Sequence, residues 1–124
     1  MSKYVIFLMS DPKGGDEATG RLFNGLALAA DAKAAGDEVE LVFAAAGTRW
    51  PAELEKVGHP AGELYQSLRE HVAGASCGCA EVFGASQEVE SCGLPLLADQ
   101  TLAGTSGLAG IRRHAEAGSR VFIF

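Results

Sequence analysis

Lys3-Tyr-Val-Ile-Phe-Leu-Met9 is an almost unbroken apolar run that stops abruptly at Ser10-Asp11-Pro12. Apolar residues on consecutive rather than alternate positions describe a strand covered on both faces, the condition of a parallel sheet with helices packed against it. Tyr4 to Met9 is also the longest near-continuous apolar run, far short of the roughly 20 residues a bilayer span needs. Pro12, Gly14 and Gly15 end the strand, and the apolar period then changes. From Glu17 to about Ala35, Leu22, Phe23, Leu26, Ala27, Ala29 and Ala30 recur at spacings of three and four, the stripe of a buried helix. Asp16 stands where an N-cap belongs and Gly36 where a helix is closed by a glycine. Val39 to Ala45 then reads as a second strand, and a β-α-β unit places its two strands parallel through a right-handed crossover.

The remainder continues the alternation. Gly47 to Gly62 is irregular, with one helical turn expected around Ala52 to Lys56, and Glu63 to Val72 reads as a second amphipathic helix ended by Gly74. Ala75 to Cys79 reads as a short third strand or its carboxyl end, and Ala80 to Ser91 as a short helix interrupted near Gly84. Leu94 to Ala98 is an edge or irregular fourth strand because of Pro95. Gly107 to Ala117 spaces Leu108, Ile111 and Ala115 as a third longer helix, and Val121 to Phe124 is a last buried strand. No linker, repeat or low-complexity stretch divides residues 1–124, so one α/β domain is expected, a three-layer α/β/α sandwich.

Ten basic against sixteen acidic side chains leave a net charge of −6, a poor match to a phosphate backbone, so nucleic acid is not an expected partner. Near the start Lys3 is the only charge and no cleavable apolar leader follows, so secretion is not expected. Three cysteines, an odd number in a chain able to build a core, point to reduced thiols in a cytoplasm.

Ser10 to Gly20 lies where a phosphate cradle would sit, but Asp11, Asp16 and Glu17 surround its single Lys13, and its glycines fit neither nucleotide-binding spacing. Gly14-Gly-Asp-Glu17 matches the letters of the diguanylate cyclase signature, yet Ala18 stands where that signature has Phe and the chain is too short for that domain. A plain strand-to-helix turn is the expectation. No serine sits in a hydrolase elbow.

Ser76-Cys77-Gly78-Cys79-Ala80 carries the strongest chemical signal. Ligands of open α/β sheets gather at the carboxyl ends of strands, and a thiol there, ahead of a helix, meets N–H groups that favour its thiolate. Two thiols are half of a tetrahedral metal set, and no second pair is spaced to complete it, so no metal or cofactor is implied. Buried inert cysteine is the competing reading, and for Cys92 it is the preferred one. Trp50 reads equally as the cover of a pocket or subunit contact and as a core anchor; His59 and His71 read as surface residues, and His114 with Arg112 and Arg113 as cations complementing a helix end.

The order of these features resembles the DsrE/DsrF-like family of small sulfur-handling proteins over nearly the whole chain. The passages that carry the resemblance are Ala32-x-x-Ala-Gly-Asp-Glu-Val39, the Cys77-Gly-Cys-Ala80 turn, Cys92-Gly-Leu-Pro95 and the ending Gly118-Ser-Arg-Val-Phe-Ile-Phe124. The resemblance implies a five-stranded parallel sheet and assembly into dimers, trimers or hexamers. It also implies a persulfide-bearing cysteine after the third strand, passing sulfur between donor and acceptor proteins. That position corresponds to Cys79, directly before the helix, or to Cys77. The family turn has one cysteine or a wider pair, so the Cys-x-Cys spacing departs from it. Were both cysteines in an extended strand, their Cα atoms would lie roughly 6.6 Å apart, and a turn at Gly78 would be needed for one to resolve a persulfide on the other as a disulfide. Two other functions compete with sulfur carriage: a small-ligand-binding or regulatory module with a pocket near Trp50 and the Pro12–Gly15 loop, and a structural subunit with inert thiols.

Overall fold

The opening apolar run becomes β1 (Lys3–Leu8), and its side chains divide by parity: Val5 and Phe7 enter one apolar cluster, Ile6 and Leu8 another, all at most 1% exposed. Both faces of the strand are therefore covered, which is why its hydrophobicity is continuous. The computed structural model describes residues 2–124. Four further strands, β2 (Glu38–Phe43), β3 (Val72–Ser76), β4 (Leu96–Leu97) and β5 (Arg120–Ile123), join β1 in one parallel sheet ordered β4-β3-β2-β1-β5.

The strand order dictates the layers. From β1 to β4 each step moves the same way across the sheet, so right-handed crossovers place the intervening helices on one face. These are α1 (Gly15–Ala34), α2 (Trp50–Leu54), α3 (Gly62–Leu68), α4 (Cys77–Val82) and α5 (Ser86–Ser91), and their buried residues share a cluster with Ile6, Leu8, Leu41 and Phe43. The last connection runs back across the sheet from β4 to β5 and lies on the other face. The short α6 (Arg112–Glu116) and the irregular segment 98–111 lie on that side, where Val5, Phe7, Val42, Ala44 and Ala109 form a second cluster. The sandwich has three layers, the second outer one thin.

Local signals explain the well-formed part. Asp16 and Glu17 fall in the first turn of α1, with Gly14 rather than Asp16 at the N-cap. At the other end Gly36 takes φ +84°; its N–H donates to the Lys33 carbonyl and that of Asp37 to the Ala32 carbonyl, closing the helix in a Schellman motif. Pro51 sits in the first turn of α2, where its missing N–H costs no helical bond.

Four expectations are corrected. Val72 is not the end of a helix: α3 stops at Leu68, a 3-10 turn (Arg69–His71) follows, and Val72 pairs with Leu41 in the sheet. The cysteine turn is not strand; Cys77 and Cys79 both lie in α4. Helix does not run from Gly107 to Ala117, because residues 107–110 bond to distant elements and only Arg112–Glu116 is helical. Finally β5 is an edge strand, with Phe122 38% and Ile123 54% exposed rather than buried. Among the described residues no helix is long and apolar enough to cross a membrane.

Candidate functional site

Connections leave neighbouring strands β3 and β4 toward opposite faces: α4 contributes Ala80 to the first cluster, while the chain after β4 contributes Ala109 to the second. The crevice outside the carboxyl ends of two such strands is where open α/β sheets bind their ligands. Cys77 is the first residue of α4 and Cys79 the third, so both expected thiols follow directly on the carboxyl end of β3. Ser76, the N-cap, is 1% exposed and stays extended (φ −62°, ψ 120°); its hydroxyl accepts the Ala109 N–H at 3.0 Å instead of capping α4. Gly78, between the cysteines, donates its N–H to the Gly107 carbonyl at 2.8 Å. A Cβ on Gly78 would stand 2.8 Å from Leu108 Cδ2 and 3.0 Å from the Gly107 oxygen, so a side chain here would press on the 107–108 segment.

All three cysteines are free thiols and partly exposed. Helical geometry puts the Cα atoms of residues two apart about 5.4 Å from each other but turns their side chains about 200° apart around the axis. A Cys77–Cys79 disulfide therefore needs α4 to unwind, since side-chain vectors that diverge cannot be bridged without backbone movement. Cys79 packs against the second apolar cluster, beside Met9, Leu97 and Ile111 in the same set. Cys92, at the C-cap of α5, behaves differently. Burial first, and then the Glu55 carboxylate, push its pKa up to about 11, and its carbonyl is held by Arg69 at 3.0 Å. A thiol so placed stays protonated and poorly nucleophilic at neutral pH. Among the described residues no three His, Cys, Asp or Glu side chains are grouped to hold a metal ion.

No family model matches the chain, and no curated protein matches it.

The loop after β1 is a turn held by its own hydrogen bonds and by Arg49. The Asp11 carboxylate accepts the Lys13 N–H and pairs with Arg49 at 3.0 Å, and the Gly14 N–H donates to the Asp11 carbonyl. Its bond from the Lys13 amide, ahead of Arg49, holds the Asp11 carboxyl below the ordinary range. Arg49 in turn donates to the Phe83 carbonyl and lies over the Phe83 ring at 5.4 Å. A cavity of about 260 Å³ opens here between Pro12, Lys13, Arg49, Phe83 and Glu88, below the usual 300–1,000 Å³ of a small-molecule site.

Trp50 is no pocket cover. It is 2% exposed and donates its indole N–H to the Ser10 carbonyl at 2.6 Å, anchoring α2 to the end of β1. His59 is partly buried, its Nδ1 accepting the Ala61 N–H and its ring edge-on to Trp50 at 6.2 Å. His71 is partly buried in the 3-10 turn. His114 departs furthest from its expectation as a surface cation: it is 4% exposed, its ring 5.9 Å from that of Phe7 in an edge-on contact. Sequence reasoning also missed the segment around Gly107–Ala109 as part of the cysteine turn. Its contacts to Ser76 and Gly78 span about thirty residues, and no local pattern announces them.

Proposed function

We propose that this chain is a sulfur carrier of the DsrE/DsrF-like kind, holding a persulfide on Cys79. The observation that carries the reading is the pair of partly exposed thiols on the first turn of α4, directly after the carboxyl end of β3. Cys79 is preferred because it rests against apolar side chains, which shelter a terminal sulfur from water and stray thiols. In the reaction the Cys79 thiolate attacks the outer sulfur of a donor persulfide. The donor S–S bond breaks as the new one forms, and the donor leaves as a thiolate that takes up a proton, with no net oxidation. An acceptor thiolate repeats the step on Cys79. Free thiols suit a reducing cytoplasm.

Self-assembly belongs to the same proposal. The β4 edge is two residues long and follows Pro95, both devices that blunt strand addition. The β5 edge has neither, and Phe122 and Ile123 leave apolar surface on both of its faces.

The test is intact mass after incubation with polysulfide, on the wild type and on Cys77→Ser, Cys79→Ser and Cys92→Ser. A gain of about 32 Da per sulfur that disappears only in Cys79→Ser is the expected result. Loss in Cys77→Ser alone overturns the assignment to Cys79. No gain, or equal slow labelling of all three, overturns sulfur carriage.

A further inference from the structure

The thin outer layer is held at its two ends by different chemistry. At the carboxyl end of the sheet the holding bonds are neutral: Ala109 N–H to the Ser76 hydroxyl and Gly78 N–H to the Gly107 carbonyl. At the amino end the layer is seated by His114 of α6, which buries its imidazole edge-on against Phe7. Its Nε2 lies 3.7 Å from the nearer Glu40 oxygen, beyond hydrogen-bond reach. The other Glu40 oxygen is taken by Lys3 at 3.2 Å.

The charges around the ring come from every neighbouring element. Lys3 stands on β1, Glu40 on β2, Asp99 in the preceding segment and Arg113 on α6 itself; exposed Glu38 of β2 lines the cleft outside, and Arg120 of β5 turns to the other face, over the Tyr4 ring at 6.0 Å. Two cations and two carboxylates act on the ring, and they are already paired, Lys3 with Glu40 and Arg113 with Asp99. Coulomb forces thus nearly cancel, and desolvation decides which protonation state the site holds. Burial disfavours the charged ring, and the His114 pKa is lowered by that burial first and by Arg113 next.

We propose that His114 is an acid-responsive latch: protonation of its ring unseats α6 and opens the amino-end half of the thin layer, uncovering the apolar face around Phe7, Val5 and Val42. The neutral bonds at Ser76 and Gly78 do not titrate, so the opening is local and the other face keeps its helices. Asp99 does not share the response. Burial raises its carboxyl, but the Gly110 N–H and Arg113 outweigh that and hold it below the ordinary range. It stays ionised until the pH is well below the histidine range.

Hydrogen exchange of the intact chain tests this at about pH 7.5 and about pH 5.5, on either side of the ordinary histidine value of about 6.5, with rates corrected for the intrinsic pH dependence. Peptides covering 112–118 should lose protection by several-fold at the lower pH, with about tenfold the ceiling that one histidine sets over this interval, while α1 is unchanged. In His114→Phe, which keeps an apolar ring and removes the titration, protection should be equal at both. Equal protection in the wild type, or the same loss in His114→Phe, overturns the latch. Should that variant not fold, the imidazole titration of the wild type by NMR, assigned with His59→Gln and His71→Gln, still decides. A midpoint below about 6.5 is expected; one at or above it means that Glu40 stabilises the charged ring, and the latch is wrong.

Discussion

The Gly78 amide, lying between two cysteines, donates to the Gly107 carbonyl at 2.8 Å and so ties the first turn of α4 to the layer on the opposite face of the sheet. With the Ser76 hydroxyl accepting from Ala109, it joins residues about thirty apart at the carboxyl end of β3, where the candidate thiols stand. Gly78→Ala tests how rigid that junction is. The new methyl would sit 2.8 Å from Leu108 Cδ2, a side-chain end that can turn away, and 3.0 Å from the Gly107 oxygen, which must give by a few tenths of an ångström. Overpacking of this kind costs about 1–3 kcal/mol. The urea midpoint should fall with an unchanged slope; an unmoved midpoint would mean that the 98–111 segment shifts freely.

Cys92 should be the quiet thiol. With its pKa pushed up to about 11, its alkylation in the folded chain should run roughly two orders of magnitude slower than in the urea-unfolded chain, where the value is about 8.5. Peptide mapping after brief labelling reads this directly, and equal rates in the two states would refute the burial argument. The same shift links to stability. A folded-state pKa above the unfolded one means that the folded chain holds its proton more tightly. That stabilisation is complete below about 8.5 and is lost as the pH rises toward 11. Tyr65, pushed up to about 12 by burial, acts in the same sense at higher pH. Cys92→Ala should therefore flatten the alkaline decline of the urea midpoint relative to wild type.

The open β5 edge makes a claim about assembly. Ile123→Lys places a charge on the exposed end of that strand, a substitution natural edge strands use to prevent pairing. Light scattering over a range of concentrations should find the wild type in multimers and the variant at the monomer mass. A wild type that is monomeric throughout would remove the proposed self-association.

The first half of the fold is written in short-range pattern. Val5 to Leu8, the stripe from Leu22 to Ala29 and the closing Gly36 each act on neighbours within a few residues, and β1, α1 and β2 stand close to where those patterns place them. The break between α4 and α5 was legible at Gly84 for the same reason. Leu64, Leu68 and Val72 share a helical spacing too, but Val72 is claimed by Leu41 across the sheet, and pairing outweighs the weak helical preference of a β-branched residue. Leu108, Ile111 and Ala115 likewise mimic a helix. Gly107 takes φ +98° and residues 107–110 spend their backbone groups on Ser76, Gly78, Gln100 and Asp99, so helix begins only at Arg112.

The candidate site divides along the same line. Sequence alone determined that two thiols stand one residue apart near the carboxyl end of a strand, because strand, glycine and helix signals there are local. Tertiary structure decided that they sit on one helical turn with diverging side chains, that Cys92 lies against Glu55, and that His114 is buried on Phe7 rather than facing water. The contact of Cys92 depends on α5 packing against α2 over the first face, and the burial of His114 on the return of the chain from β4 to β5 over the second. A crossover fixes its partners through strand order, which periodicity within a single segment does not encode.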